Sequence, residues 1–173
     1  EAKAYPTAGD AIAGMKRGEV DCVFPANLSA GDGENMGLFM TPSLMETDLF
    51  AVVRQKDRQL FSGREHVVVA VNEGNPNYES CLKDYFPSWR TVYYPTTSDC
   101  LKAVAGGVAD CVLISSYRYN NIARQCKRLN LTTVTTGKEL EYCFAVAAGH
   151  PEMYSILAKV ADLVPEAAVN MAL

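Results

Sequence analysis

The stretch GDAIAGMKRGEVDCVF at residues 9–24 returns as SDCLKAVAGGVADCVL at residues 98–113, and the two copies align without a gap. In each copy the apolar residues lie three to four positions apart, a glycine follows, and a short apolar run comes next. This order predicts an amphipathic helix, a left-handed C-terminal cap and a strand. Each copy is therefore expected to be half of a parallel α/β unit.

The match extends to residues that a helix, glycine and strand do not require. Asp21 and Cys22 recur as Asp110 and Cys111. A chance match is the alternative, because the pattern is common in α/β proteins, but the shared aspartate and cysteine count against it. Two distant copies predict an α/β fold with two similar lobes, each with a doubly wound parallel sheet, and a cleft between them. We expect the two aspartates to have matching structural roles where their strands begin.

The composition favours a folded protein and excludes several classes of function. Of the 173 residues, 49% are hydrophobic and 21% are charged, which excludes a disordered chain. The net charge of -4 argues against a nucleic-acid partner. The basic residues Arg118, Arg124, Lys127 and Arg128 are predicted to form a solvated helix face. Apolar runs such as residues 67–71 are too short to span a bilayer, and no signal peptide pattern is present. Any export signal or anchor is expected outside these residues.

The cysteines favour burial over metal binding. Cys22 and Cys111 lie within apolar runs, where cysteine is a small buried hydrophobe. A disulfide stays open among the other four, which are Cys81, Cys100, Cys126 and Cys143. No closely spaced group of cysteines and histidines is present, so we expect no metal site and no cofactor.

Helix and strand patterns alternate along the chain. Strands are predicted at residues 47–53, 66–72, 91–94, 111–114, 131–135 and 142–147. Asn75 and Pro76 have the residue types of an N-cap and a first helical position. The rhythm predicts lobe 1 at residues 1–54, lobe 2 at residues 55–141, and a return segment at residues 142–173 that packs on lobe 1.

Three short phrases, together with the repeat, resemble one known family. Residues 23–25 are Val-Phe-Pro, residues 84–87 are Asp-Tyr-Phe-Pro, and residues 113–118 are Leu-Ile-Ser-Ser-Tyr-Arg. The chain resembles the type II periplasmic (extracellular) solute-binding proteins of family 3 over nearly its whole length. It is most similar to their sensor domains on bacterial histidine kinases and diguanylate cyclases. The resemblance implies a periplasmic-binding-protein-like fold that binds a small molecule.

Two departures from the family concern the ligand. Its amino-acid binders carry an arginine after the first strand for the ligand carboxylate, whereas residues 26–37 contain none. They also carry an aspartate for the ligand ammonium, and here that position is Ser115. The resemblance therefore implies a small-molecule ligand that is not a typical free amino acid.

The candidate ligand-binding residues are polar or small groups that follow predicted strands or begin predicted helices. They are Ala26, Asn27, Ser43, Asn72, Asn75, Tyr78, Thr96, Thr97, Ser115, Ser116 and Tyr117. Ligands of open α/β sheets bind beyond the carboxyl ends of the strands, which is where these residues are expected. The alternative for the same residues is helix capping and turn formation.

The favoured function is an extracytoplasmic sensing domain of a membrane-anchored bacterial signalling protein, which signals by cleft closure. A free-standing binding component of an ABC uptake system is the first alternative. A dehydratase-like enzyme on the same fold, or a cytoplasmic effector-binding domain of a transcription regulator, is a weaker one. We expect no catalytic residue, and membrane contact only through segments outside this chain.

Lobe 1 is expected to be incomplete. Family members have a strand, a helix and a second strand before the helix that begins here near Gly9, and residues 1–8 are too few to supply them. The strand at residues 20–24 is then left with a bare edge, and bare edges recruit partners. We therefore expect a homodimer in which a second copy covers this strand or the helix before it.

Overall fold

A computed structural model describes residues 2–73 and 75–164. The helices within these ranges are α1 (Ala8–Lys16), α2 (Ala30–Asn35), α3 (Arg58–Phe61), α4 (Pro76–Tyr85), α5 (Thr97–Ala105), α6 (Ser116–Arg128) and α7 (Pro151–Leu163). The strands are β1 (Cys22–Ala26), β2 (Leu38–Met40), β3 (Met45–Arg54), β4 (Val68–Asn72), β5 (Arg90–Tyr94), β6 (Cys111–Ser115) and β7 (Leu131–Ala147). A short 3₁₀ helix at Gln55–Asp57 precedes α3. The class is α/β, as predicted.

The chain divides into two compact units. Unit 2 is Thr47–Leu140, and unit 1 takes the residues up to Glu46 and from Glu141 onward. We predicted lobe 1 to extend to residue 54, but residues 47–54 belong to unit 2. The reason is that Leu49 and its neighbours in β3 pair with β6 of that unit.

Unit 2 is built on parallel pairs. Strand β4 is parallel to β5 on one side and to β6 on the other, while β3 lies antiparallel to β6. Val69, Val71 and Leu113 pack in one core cluster, and Ala70 and Val112 pack in a second one. Because successive side chains of a strand point to opposite faces, the two clusters show a sheet that is buried on both faces. This burial explains why β4 is almost continuously apolar.

Unit 1 has a different pairing from the one we expected. The central strand is the last part of β7, which is antiparallel to β1 through Cys22 and Val146 and antiparallel to β2 through Phe39 and Val146. The parallel sheet expected for this lobe is therefore replaced, among the described strands, by antiparallel pairs. The cause is that the returning C-terminal segment runs between two strands of the opposite direction. Strand β1 stands at the end of the strand order.

The repeat is visible in matching local structure. Thr7 caps α1 by accepting the backbone N–H of Asp10 at 3.1 Å, and Thr96 caps α5 by accepting that of Asp99 at 3.1 Å. Each threonine hydroxyl also donates to the same aspartate, at 2.8 and 2.7 Å. Both helices are followed by a glycine with positive φ, 74° at Gly18 and 78° in the second copy. The cap of α5 is thus Thr96, the residue directly before the helix.

Two polar segments contain short helices that the sequence analysis did not predict. Residues 26–37 include α2, which is capped by the Ser29 hydroxyl at the N–H of Asp32. The polar connector after β3 contains α3. Helices of six and four residues bury too few side chains to show the apolar period that identifies longer ones.

The two repeated aspartates do not have equivalent environments. Asp110 accepts the backbone N–H of Val68 at 2.8 Å and the guanidinium of Arg64 at 2.7 Å. Arg54 lies nearby, 3.8 Å from the same carboxylate, and donates to the carbonyl of Val104 at 2.9 Å. Asp21 is exposed, and the described residues offer its carboxylate no ion pair. The structural role that we predicted is therefore found only at Asp110.

Replacing Asp110 by asparagine should lower the free energy of unfolding by about 1–3 kcal/mol, because a hydrogen-bonded charge at the start of β6 is lost. Asp21→Asn is the matched control and should change it by less than about 0.5 kcal/mol. Urea unfolding of both variants measures the difference. Equal effects would show that Asp110 does not hold the strand ends together.

All six cysteines are free thiols, so the disulfide left open by the sequence is not formed. Burial raises the pKa of the Cys81 thiol to about 12 and that of Cys100 to about 11. Burial also raises the pKa of Cys22, but this residue is only half-buried. Alkylation requires an accessible thiolate.

Brief alkylation with N-ethylmaleimide at pH 8 should therefore modify Cys22 first. Cys100, Cys111 and Cys126 are fully buried and should react only as fast as the protein opens. Mass spectrometry of peptides at successive times gives the order. A Cys111 thiol that reacts as fast as Cys22 would contradict the packing of β6.

Candidate functional site

The carboxyl ends of β4 and β6 open onto a pocket within unit 2. Because these strands are parallel, both end at the same edge of the sheet, and helices α4, α5 and α6 begin beside that edge. The cavity has a volume of about 80 Å³. The described residues that line it are Ala70, Val71, Asn72, Asn75, Tyr78, Thr97, Cys100, Val112, Leu113, Ile114, Arg118, Asn121 and Ile122.

Two asparagines that line this pocket each have an amide oxygen with no hydrogen-bond partner among the described residues. Asn72, the last residue of β4, donates from Nδ2 to Oγ1 of Thr97 at 3.2 Å. Its Oδ1 is buried and accepts no hydrogen bond from the described residues. The same is true of Oδ1 of Asn75, which precedes α4 but makes no capping bond with its side chain. A buried polar atom left unpaired costs about 1–3 kcal/mol, so two at one pocket indicate a place for a bonding partner.

Most of the other lining residues are apolar. Val112, Leu113 and Ile114 come from β6, and Ala70 and Val71 come from β4. The thiol of Cys100 also lines the pocket, and burial raises its pKa to about 11. It therefore stays protonated at neutral pH and is not an activated nucleophile.

Arg118 adds a positive charge at the rim. It lies in the first turn of α6, where its backbone N–H is donated to the Ser115 hydroxyl at 3.3 Å. Its side chain is exposed and has no ion-pair partner within the described residues. Asn121 follows one turn later on the same face of the helix. Among the described lining residues Arg118 alone carries a charge.

The predicted solvated basic face is confirmed, because Arg118, Arg124, Lys127 and Arg128 are all exposed, but we did not predict that Arg118 also lines the pocket. The sequence contained a usable signal, because residues 118, 121 and 122 share one helical face directly after a buried strand. Nothing in their residue types alone indicated which side of the helix faces the pocket.

The eleven candidate residues are distributed over three environments. Asn72, Asn75, Tyr78 and Thr97 line the pocket.

Four more lie close in sequence to the pocket residues but do not line it. Thr96 and Ser115 are the N-caps of α5 and α6. The hydroxyls of Ser116 and Thr47 are 2.8 Å apart and hydrogen-bonded to each other, and Tyr117 is partly exposed. The capping alternative is therefore realised at two of the eleven positions.

The other three candidates belong to unit 1. Ala26 is buried in the core cluster of that unit. Asn27 has a buried Oδ1 for which the described residues provide no donor. The Ser43 hydroxyl donates to the carbonyl of Met45 at 3.0 Å. A ligand-binding role for these three residues stays a prediction.

Other types of site find no support in the described part of the chain. No three histidine, cysteine, aspartate or glutamate side chains are grouped so that they could hold a metal ion. No described helix combines the length and the apolar character that a membrane crossing requires.

Comparison with known proteins gives relatives by structure only. No protein-family model matches the sequence, and no curated protein matches it either. The VFT2 domain of BvgS from Bordetella pertussis superposes with a TM-score of 0.73 at 20% identity, over 97% of this chain and 72% of that one. A histidine kinase sensor domain with similarity to periplasmic binding proteins gives 0.68 at 19% identity, over 95% and 72%.

A third similar structure is an arginine transport system periplasmic binding protein from Legionella pneumophila. Its TM-score is 0.65 at 17% identity, over 92% of this chain and 72% of that chain. At such identities the likeness shows the fold. The chain has a periplasmic-binding-protein-like α/β fold, and the resemblance inferred from the sequence is confirmed at that level.

Because the amide oxygen of Asn72 has no partner among the described residues, we expect Asn72 to be dispensable for the stability of the ligand-free protein. Replacing Asn72 by leucine together with Thr97 by valine removes both partners of one hydrogen bond and one unpaired oxygen. In the absence of ligand, the free energy of unfolding of the double variant should therefore equal or exceed that of the natural protein. Ser115→Ala, which removes a cap at the same edge, should cost about 1 kcal/mol. Urea unfolding compares them, and a loss above about 1 kcal/mol in the double variant would make Asn72 a structural residue.

Proposed function

We propose that this chain is the small-molecule-sensing domain of a bacterial membrane signalling protein, located outside the cytoplasm. The observation that carries the proposal is the pocket of unit 2, which is lined by apolar side chains and by two asparagines whose buried amide oxygens have no partner among the described residues. The fold supports it, since the named neighbours are sensor domains and a transport binding protein.

The pocket has the features of a ligand site and lacks those of an enzyme. Small-molecule sites combine mostly apolar walls with a few polar groups that orient the ligand. General acid–base catalysis would need a carboxylate or histidine within reach of the reacting group. Neither occurs among the described residues that line the cavity. We therefore propose binding without catalysis.

Binding would be detectable as a gain in stability. A ligand that binds only the native state adds RT ln(1 + [L]/Kd) to the free energy of unfolding, about 2.7 kcal/mol at a hundredfold excess over Kd. Cleft closure, as inferred from the sequence, stays a prediction. A histidine kinase output is supported by one neighbour, whereas a diguanylate cyclase output rests on sequence motifs alone.

A free-standing uptake component is the second candidate, supported by the likeness to the Legionella pneumophila transport protein. The two functions differ in what is attached to the domain. Transmembrane segments and a kinase module in the full gene would favour sensing, and an export signal beside transporter genes would favour uptake.

A homodimer remains part of the proposal. Strand β1 stands at the end of the strand order, which supports pairing of its edge with a second copy. Pro25 removes one backbone donor from this strand, so the pairing would involve the residues before it. Light scattering at high concentration tests this, and a stable monomer would refute it.

A thermal-shift screen of small metabolites tests the binding function. Asn121→Trp places a bulky ring at the pocket rim, and Asn120→Trp places it on the preceding residue of α6, which does not line the pocket. At least one metabolite should raise Tm by several degrees in the natural protein and the Asn120 variant but not in the Asn121 variant. The proposal fails if no metabolite stabilises the protein, or if every ligand binds both variants equally.

A further inference from the structure

The charged groups at the unit 2 pocket limit the charge that a ligand can carry. Arg118 is the one charged group on the described lining, and its guanidinium has no carboxylate partner there. Glu73 follows Asn72 in sequence but is exposed and does not line the cavity. The nearby carboxylate of Asp99 is engaged by Thr96 and Lys102. The pocket therefore favours an anion and offers no counter-charge to an ammonium group.

The two amide oxygens that the described residues leave unpaired require a hydrogen-bond donor from the ligand. Oδ1 of Asn72 and Oδ1 of Asn75 can only accept hydrogen bonds. A ligand that satisfies them needs an O–H or N–H group at the buried end of the pocket. Arg118 and Asn121, both exposed, lie at the open end. The ligand should therefore carry its hydrogen-bond donor at one end and its anionic group at the other.

The volume of the pocket limits the size of the ligand. The cavity of about 80 Å³ is roughly half of an engineered cavity of about 150 Å³ that accepts benzene. Only a few heavy atoms fit inside, with the anionic group at the rim. The apolar side chains of Val71, Leu113 and Ile122 leave room for a short carbon skeleton but offer no further polar partner.

We propose that this pocket takes a short-chain hydroxycarboxylate, and the proposal rests on the binding function proposed above. The carboxylate pairs with the guanidinium of Arg118, and the hydroxyl donates to the amide oxygen of Asn72 or Asn75. The ammonium of a free amino acid could donate to the same oxygens, but the described lining has no carboxylate to balance its charge and carries one positive charge already. A simple alkanoate would leave both amide oxygens unpaired.

Calorimetry on the full chain separates these ligand classes. Glycolate and L-lactate are the hydroxycarboxylates, glycine and L-alanine replace the hydroxyl by ammonium, and propionate lacks the donor. One hydroxycarboxylate should bind at least about tenfold more tightly than its amino and unsubstituted counterparts, since a single unmade buried hydrogen bond has about that effect. Inorganic phosphate serves as an anion without a carbon skeleton and should bind more weakly still.

Arg118→Gln tests the anion contact, with Arg124→Gln as its matched control. Both arginines are exposed on α6, but only Arg118 lines the pocket. The first substitution should weaken hydroxycarboxylate binding by about 10–100-fold, because a charged hydrogen bond is lost, and the second should leave it unchanged. Equal effects of the two variants would overturn the assignment of Arg118.

The ligand class and the binding function fail in different ways. If alanine, propionate or phosphate binds as tightly as lactate and glycolate, the hydroxycarboxylate assignment is wrong. The screen could instead find a cation or an amino acid that stabilises the natural protein but not the Asn121→Trp variant. That result would refute the proposed ligand class and support the binding function. If neither the five small acids nor the wider screen gives a ligand, both are refuted.

Discussion

The parallel alignment of β4 with its two neighbours is the constraint on which unit 2 depends. Val68 to Asn72 pair in register with β5, and Val69 and Ala70 pair with β6, so all three strands end at one edge. A parallel pair cannot be joined by a tight turn, and the crossovers must be helices that cover both faces. The valines of β4 are buried by those helices, and the starts of α4, α5 and α6 are brought to the edge where the pocket lies.

The two edges of this sheet have different chemistry. At the amino ends, Asp110 accepts hydrogen bonds from Val68 and Arg64, and Arg54 reaches the carbonyls of Val104 and Ala109, so polar groups are paired with one another. At the carboxyl ends, two buried amide oxygens find no partner in the part of the chain that the structure describes. Paired groups contribute stability, whereas unpaired ones reduce it unless a ligand binds. Stability and recognition are thus placed at opposite ends of the same strands.

Helix caps account for many of the polar residues that look functional in the sequence. Thr7, Ser29, Thr96 and Ser115 each accept the N–H of a residue three positions later, and three of them also donate to an aspartate there. Such contacts are local and need no tertiary structure. Asn75 has the residue type of a cap and makes no such bond. Its backbone, with φ of -110° and ψ of 84°, differs from the extended backbone of the four capping residues, which is the conformation that an N-cap requires.

The sequence by itself determined the periodic features: the repeat, the amphipathic helices α1 and α5, the buried strands and the α/β class, because these follow from spacing along the chain. The tertiary structure decided which strands pair. In unit 1, β1 and β2 pair antiparallel with β7. Residues 47–54 belong to unit 2, and Arg118 lines the pocket. The tertiary structure also decided which asparagine oxygens stay unpaired. These features depend on contacts between residues distant in sequence, which a local pattern does not encode.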